Sequence, residues 1–280
     1  MTKALLFLSV FSSVFAFAQE DLLKDIDTIQ TNSEISQPAF KALQIVTGQS
    51  TKLAAKKEWY MIVAHRFGDI SAGFKDFFGL DNASTKLGAI YGISDAVSVS
   101  LSRETNMKTF EGGVKYRLIR QNEKFPVDIV GYNVMAVNTD LKKDNYPYLK
   151  FNDRLSYLTQ ALISRRFTDK LSLQLTPSFV HKNLYEPRNE DKNQFLTGLG
   201  GRYKISKRVS VNAEYFVNFD NHSFYKNPLS LGVDIETGGH VFQLLFTNSQ
   251  INSDIGYLTN ASGNWGKGHI FFGFNLYRVF

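Results

Sequence analysis

The chain has 280 residues, a formal net charge of +6 and no cysteine. The absence of cysteine excludes a disulfide framework and any metal site built on thiolates. The basic excess is small and spread along the chain, so it does not indicate binding to nucleic acid.

The N-terminus has the pattern of a secretory signal peptide. Lys3 precedes an apolar run that reaches Phe17, and the small residue Ala18 comes just before Gln19. The run is too short to span a bilayer comfortably, and polar residues follow it at once. We therefore predict that residues 1–18 are a signal peptide cleaved after Ala18, rather than a membrane anchor.

Residues 19–56 lack a clear pattern. Residues 19–39 are polar and show no strand periodicity, whereas 40–49 fit a possible short strand with a turn. We predict a periplasmic leader here. The sequence leaves open whether this leader fills the barrel that follows or hangs below it.

From residue 57 onward, apolar and polar side chains alternate repeatedly. In residues 107–119, for example, Phe110 and Val114 share one face, and Glu111 and Lys115 share the other. Alternation with period two is typical of a strand that separates an apolar medium from a polar one.

Twelve such segments can be counted. They are 57–66, 84–93, 95–104, 107–119, 125–138, 153–167, 170–181, 194–206, 208–219, 228–238, 239–248 and 265–280. Alternation is weak in three of them, so their faces cannot be assigned: 57–66, 125–138 and 153–167. The connections are alternately very short and mostly long, as expected for a barrel with tight periplasmic turns and long outer loops.

Composition agrees with a membrane barrel. Aromatic residues make up 14% of the chain although its mean hydropathy is only −0.20. After the signal peptide, no run of 18 apolar residues occurs, which argues against transmembrane helices. We predict an all-β fold: a closed antiparallel transmembrane β-barrel of about twelve strands over residues 57–280, located in the cell outer membrane.

The polar face of the strands is predicted to line the lumen. Its members are Lys86, Glu111, Lys115, Arg117, Gln174, Arg202, Lys204, Glu214, Asp234 and Glu236. Their mixed charges fit either a water-filled passage or a lumen filled with paired side chains. Barrels of eight strands are just filled and those of sixteen enclose a channel, so twelve strands do not decide between the two.

Two features of the strands and loops lead to further predictions. Pro177 cannot donate a hydrogen bond to a ladder, so we predict that it lies at the upper rim or at a bulge. Residues 69–83 form a loop that is both apolar and acidic, and we predict that it packs into the barrel mouth or across the rim. The spacing of Asp76 and Asp81 in that loop matches no calcium-binding pattern.

No pattern indicates an active site, a cofactor or a metal. The five histidines do not have the spacing of metal ligands; they are His65, His181, His222, His240 and His269. The adjacent pair His222 and Ser223 lies in a predicted outer loop, with no third group to orient the base. We therefore expect a protein that is not an enzyme, with no catalytic, cofactor-binding or metal-binding residues.

Six stretches carry a resemblance to a known family. They are AHRFG at 64–68, DFFGLDNA at 76–83, YGISD at 91–95, LSR at 101–103, KTFEG at 108–112 and KYRLIRQ at 115–121. With these motifs the sequence resembles the β-barrel family catalogued as domain of unknown function 5777, found mainly in Bacteroidota, over about residues 40–280. The resemblance implies an outer-membrane or envelope barrel and supplies no catalytic residue or ligand.

Three functions remain open at this point. The first is a passive pore or a transporter of small solutes or lipid, and the second is a structural or partner-binding barrel with a filled lumen. The third is a soluble periplasmic β-barrel that binds an apolar ligand. The expected partners are outer-membrane lipid and the barrel insertion machinery, with no nucleic acid and a small-molecule cargo that the sequence does not identify.

The C-terminal residue gives a testable prediction. Phe280 ends an amphipathic strand in which Phe272 and Phe274 share its face, and this resembles the assembly signal read by the barrel insertion machinery. Deleting Phe280 should lower the yield of inserted barrel, measured as heat-modifiable migration on a gel. Phe110→Ala, on the same outward face of another strand, is the matched control, and normal assembly without Phe280 would contradict the prediction.

Overall fold

The computed structural model describes residues 38–220 and 224–280. In this part of the chain, twelve antiparallel strands of 8–12 residues form a closed barrel, in which sequence neighbours pair and β1 also pairs with β12. The strands are β1 Trp59–Asp69, β2 Ala83–Ser94, β3 Val97–Glu104, β4 Thr109–Ile119, β5 Asp128–Asn138, β6 Leu155–Arg166, β7 Leu171–Lys182, β8 Asn193–Lys204, β9 Val209–Asn218, β10 Leu229–Thr237, β11 His240–Thr247 and β12 Phe271–Val279. The predicted fold, a closed antiparallel β-barrel of about twelve strands, is confirmed.

The two ends of the barrel differ in their connections. At one end, where β1 begins and β12 ends, the turns are mostly short: 95–96, 120–127, 167–170, 205–208 and 238–239. At the other end the connections are mostly long: 70–82, 105–108, 139–154, 183–192, 219–228 and 248–270. We refer to these as the turn end and the loop end, which correspond to the predicted periplasmic and outer sides.

Strand β9 shows how the wall is built. Ser210, Asn212 and Glu214 are buried on its inner face, whereas Val211 and Tyr215 are exposed on its outer face. The outer face is apolar because it is the side that meets lipid in a transmembrane barrel. The inner polar side chains are buried because two other parts of the chain occupy the lumen.

The first of these is residues 38–56, here called the plug. Its turn is closed by hydrogen bonds from Ile45 N to Gly48 O (2.8 Å) and from Ser50 N to Leu43 O (3.0 Å). The plug bonds to inner side chains of β1, β4, β7, β9, β11 and β12. Because these strands stand on all sides of the barrel axis, the plug lies inside the lumen.

The plug is the described part of the predicted leader. In 40–49 an isolated bridge joins Gln44 and Gln49, and the segment forms a tight turn without an extended strand. Residues 19–37, like the predicted signal peptide 1–18, lie outside the described residues.

The second occupant is residues 248–264, here called the inner loop, which connects β11 towards β12. It contains the short helix α1, Asp254–Thr259, all of whose residues are buried. Short 3-10 turns stand in other connections, at Ile70–Gly79, Phe151–Arg154 and Trp265–Lys267. Within the described residues, no helix has both the length and the apolar character needed to cross a membrane.

The filled lumen explains why the faces of β5 and β6 could not be assigned. Their inner faces carry apolar side chains, including Val130, Val134, Leu158 and Leu162. These pack in one buried cluster with Leu53 of the plug and with three residues of α1: Ile255, Tyr257 and Leu258. Both faces of these strands are therefore apolar, and the alternation disappears from the sequence.

The position predicted for Pro177 is wrong. Pro177 lies in the interior of β7, opposite Thr197 of β8, and its ring is exposed on the outer face. Pairing with β6 is interrupted there without a register shift, between the pairs Gln160–Ser178 and Ile163–Leu175. The missing donor thus costs the ladder a local interruption, and neither a rim position nor a bulge is needed.

Of the two placements predicted for the loop at 69–83, the structure rules out packing into the barrel mouth. The apolar side chains of its 3-10 segment are exposed, with Phe74 85% and Phe77 57% accessible. Phe74 contacts Phe78 with ring centroids 4.8 Å apart, so the aromatic residues of this loop pack on each other outside the lumen. The lumen is instead occupied by the inner loop.

The outer wall gives a prediction about stability. The ring of Tyr116 covers Gly131 on the neighbouring strand, and a Cβ at 131 would stand 2.4 Å from two of its carbons. Gly112 is also on the outer face, but a Cβ there would meet nothing within 4 Å. Gly131→Ala should therefore lower the free energy of unfolding by about 1–3 kcal/mol through overpacking. Gly112→Ala should change it by less than about 0.5 kcal/mol.

Equilibrium unfolding in urea, with the barrel in detergent micelles, measures the free energy of unfolding of both variants. Equal stability of the two variants would contradict the packing of Tyr116 over Gly131.

Candidate functional site: the filled lumen

The structure places all ten residues of the predicted polar face on the inner side of the wall. Seven are buried: Lys86, Glu111, Lys115, Gln174, Arg202, Glu214 and Asp234. The other three are partly buried: Arg117, Lys204 and Glu236. Their partners are mostly groups of the plug and of the inner loop, described next.

Glu214 of β9 binds the turn of the plug. Its carboxylate oxygens accept hydrogen bonds from the backbone N–H groups of Val46 (3.3 Å), Thr47 (2.7 Å) and Gly48 (2.9 Å). The same carboxylate accepts a hydrogen bond of 2.8 Å from the hydroxyl of Tyr257 in the inner loop. One side chain of the wall therefore joins both occupants of the lumen, and its burial is offset by four donors.

Lys115 of β4 binds the plug as a hydrogen-bond donor, whereas Glu214 binds it as an acceptor. Its ammonium donates to the backbone oxygens of Leu43 (3.3 Å), Ser50 (2.9 Å) and Lys52 (3.2 Å). Three carbonyls thus satisfy the three donors of the ammonium group. The wall holds the plug backbone through a carboxylate on one side and an ammonium on the other.

Gln174 of β7 also binds the plug backbone. Its side-chain oxygen accepts from Thr51 N at 3.1 Å, and its amide nitrogen donates to Gln49 O at 2.8 Å. Both the oxygen and the nitrogen of this amide are used, so the side chain fixes the plug at residues 49–51, after its turn.

Three further wall residues were not predicted from the sequence. Arg66 donates to Thr47 Oγ1 (3.1 Å) and to Asn275 Oδ1 (2.9 Å), and Asn275 Nδ2 donates to Val46 O (2.8 Å). Gln243 donates to Ile45 O of the plug (3.1 Å) and to Asp234 Oδ1 (2.7 Å), and it accepts from Asn275 (2.9 Å). Arg66 was missed because alternation in its strand is weak. Asn275 stands opposite the apolar face of the last strand, a signal that the sequence does contain.

Asp254 fastens the inner loop to the wall. Its carboxylate accepts from Lys86 (3.1 Å), from the hydroxyl of Tyr132 (2.5 Å) and from Gln49 of the plug (3.2 Å). Lys86 also binds Glu111 at 2.8 Å, and Glu111 accepts from the backbone N–H of Asp254 at 2.7 Å. The inner loop is therefore bound both to the barrel and to the plug.

Asp254 remains ionised in this setting. Burial by itself would raise its pKa, but the ammonium of Lys86 and the hydroxyl of Tyr132 outweigh burial and hold the pKa of Asp254 below its usual range. A lowered pKa in the folded state means that this contact stabilises the loop above the pKa of the unfolded chain and weakens as the pH falls.

Ion pairs surround the plug at the turn end. Glu236 binds Lys41 of the plug at 2.7 Å and Arg202 at 2.5 Å. Arg117 lies 3.6 Å from Asp128. The two ends of the plug lie at this end of the barrel, since Lys41 binds next to the β10–β11 turn and the plug runs directly into β1.

The lumen has little free space between the plug and β2 to β5. The gap there has a volume of about 30 Å³ and is lined by Lys86, Glu111, Lys115 and Asp254, among others. This volume holds one or two water molecules. The plug and the inner loop therefore fill this part of the lumen.

The described residues contain no group of three or more His, Asp or Glu side chains placed to hold a metal ion. The four described histidines stand apart at His65, His181, His240 and His269, while His222 and Ser223 lie outside the described residues.

Asp254 gives a prediction for the loop contact. Asp254→Ala should lower the free energy of unfolding by about 1–3 kcal/mol, because Tyr132 and Gln49 lose a buried acceptor. Asp140→Ala is the control, since Asp140 forms an exposed pair with Lys108 and should cost less than about 1 kcal/mol. Urea titration of both variants tests this, and an equal cost for the two would contradict the buried contact.

Two solved porins share the fold. The NanC porin aligns with a TM-score of 0.51 at 11% identity, covering 79% of this chain and 98% of the porin chain. The KdgM porin aligns with a TM-score of 0.51 at 9% identity, covering 79% of this chain and 99% of the porin chain. At such identity the likeness concerns the fold alone. Among curated protein sequences, none matches this chain.

Family membership rests on a sequence match. The family model described as a membrane bound beta barrel domain, domain of unknown function 5777, matches residues 40–280. The match includes the plug from Phe40 onward and every strand of the barrel. The resemblance carried by the sequence motifs is confirmed: the chain belongs to the membrane-bound β-barrel family catalogued as domain of unknown function 5777.

Proposed function

We propose that the protein is a non-enzymatic outer-membrane channel for small solutes, closed in the described state by the plug and the inner loop. The observation that carries the proposal is the polar character of the wall side chains that bind the plug. The wall binds the plug with side chains that water can also solvate: Glu214, Lys115, Gln174, Arg66 and Asn275.

The hydrogen bonds between plug and wall can be exchanged for bonds to water. The exchange costs about 0.5–1.5 kcal/mol for each neutral pair and about 1.5–3 kcal/mol where a charged side chain such as Glu214 or Lys115 takes part. Once the plug has left, the same side chains would line an aqueous passage of mixed charge. A wall meant to hold the plug permanently would gain more from apolar contact than from buried charges.

The barrel has a suitable size. A twelve-stranded wall is wider than the eight-stranded barrels that side chains alone fill. The NanC and KdgM porins share this architecture. Their likeness supports the proposal through the fold and does not extend to their solutes.

A specific observation favours a second candidate, a barrel with a permanently filled lumen and a structural or binding role. Leu53, Ile255 and Leu258 join the plug, the inner loop and the wall in one buried apolar cluster. Exposing a Leu or Ile side chain of this kind to water costs about 1.5–3 kcal/mol. Opening must therefore leave this cluster intact or offset its loss.

A reversible lock on the plug tests the channel. A Cβ at Gly232 would lie 3.2 and 3.5 Å from the two methyl carbons of Val46, which suits a disulfide. The chain has no cysteine of its own, so Val46→Cys with Gly232→Cys makes the only bridge. Oxidised protein in a planar bilayer should open about ten times less often than the same protein after reduction.

The two single cysteine variants are the controls, and their conductance should not respond to the reductant. Equal conductance of the oxidised and reduced double variant would contradict gating by the plug. A folded barrel that stays silent both after reduction and after deletion of residues 38–56 would favour the permanently filled lumen.

A further inference from the structure

A second cavity lies at the loop end, on the far side of the inner loop from the plug. Its volume is about 220 Å³, which suits a ligand smaller than a drug molecule. The upper parts of β4 to β7 form its wall, and the loops 139–154 and 183–192 form its rim. We call it the vestibule.

The floor of the vestibule is the inner loop, which closes the barrel in the proposed channel. Ser253, Ile255, Gly256 and Asn260 of the inner loop line it. Lys182 of β7 reaches this floor, because its ammonium lies 3.2 Å from Asn260 Oδ1. A molecule held in the vestibule would therefore touch the loop that must move for the channel to open.

The vestibule presents unused hydrogen-bonding groups. Arg154 lines it and, among the described residues, makes a single hydrogen bond, to Asn138 O at 3.1 Å. The hydroxyls of Tyr146 and Tyr185 have no partner within the described part of the chain, and both side chains line the cavity. These groups offer several donors, two hydroxyl acceptors and aromatic surface in one place.

The side chains that line the vestibule include charges of both signs. Lys182 is paired with Glu190 at 2.5 Å, and Glu186 is paired with Arg188 at 3.1 Å. The remaining charged side chains that line the cavity have opposite signs: Arg154 and Asp153. An anion would meet three carboxylates and a cation two basic groups, so neither charge is favoured. Hydroxyl groups, which both donate and accept, match such a mixed set.

We propose that the vestibule binds one ring of an uncharged sugar. The sugar hydroxyls would bond to Arg154 and to the polar floor, and its less polar face would lie against Tyr146 or Tyr185. This inference deepens the proposed channel function by naming the class of solute, and it rests on that function only for the step in which the sugar passes the inner loop.

The test measures binding alone, with the full chain refolded in a detergent that contains no sugar. The probes are D-glucose and D-galactose, with D-galacturonate as the anion and D-glucosamine as the cation. Titration calorimetry and saturation-transfer NMR should detect the two uncharged sugars, with the charged ones weaker by about tenfold, the loss expected for one unfavourable or missing polar contact.

Matched variants locate the site. Tyr146→Ala and Arg154→Ala should each weaken binding of glucose by about tenfold, and Tyr185→Phe by a few-fold since it removes one hydroxyl. The control is Tyr148→Ala, because Tyr148 stands two residues away in the same loop and is 92% exposed. It should leave binding within about twofold of the unchanged chain, well under the tenfold expected of one lost hydrogen bond.

Three results would overturn the proposal: no binding of either uncharged sugar, tighter binding of galacturonate or glucosamine, or binding that Tyr146→Ala and Arg154→Ala leave unchanged. Bilayer conductance is measured separately. Binding without conductance would keep the vestibule site and reject the channel, whereas conductance without binding would do the reverse.

Discussion

The carboxylate of Glu214 is the contact on which the arrangement of the lumen depends. A buried carboxylate requires donors, and the turn of the plug requires an acceptor for the N–H groups of Val46, Thr47 and Gly48. Inside the barrel, the carboxylate and the three N–H groups therefore satisfy each other. Because Tyr257 of the inner loop donates to the same carboxylate, the two occupants of the lumen are fastened at one point.

The rest of the wall is adapted to this contact. Glycine occupies the inner face at 200 and 232, where a Cβ would stand 2.6 Å from Ile45 and 3.2 Å from Val46 of the plug. Lys115 and Gln174 bind the plug backbone after its turn, at Ser50 and Gln49. Polar groups thus fix the register of the plug, while glycine gives its apolar side chains room against the wall. The wall therefore binds the plug in one specific position without a fully apolar interface.

The barrel could be predicted from the sequence because its signal is local. Most strands separate lipid from a polar interior, so side chains such as Phe110 and Glu111 alternate within a few residues, and these strands follow from that rule. The same rule placed the polar face, including Glu214 and Lys115. It failed for β5 and β6, where the interior is itself apolar because Leu53 and α1 pack against it.

The occupants of the lumen could not be predicted for the opposite reason. The plug has no periodicity, and its partners lie as far as 233 positions away along the chain, as with Gln44 and Tyr277. The inner loop has the polar, irregular composition of an outer loop, and only tertiary contacts such as Asp254 with Lys86 draw it inward. The aromatic loop at 70–79 looked better suited to fill the mouth, yet its side chains are exposed.

Amide hydrogen exchange at the plug turn shows whether residues 38–56 lie inside the barrel. If Glu214 holds the turn, the amides of Thr47 and Gly48 in the refolded full chain should exchange as slowly as those of neighbouring strand β9. In a Glu214→Ala variant their protection should fall while that of β9 remains. If both amides of the unchanged chain exchanged at the rate of an unstructured peptide, this would contradict a plug held inside the barrel.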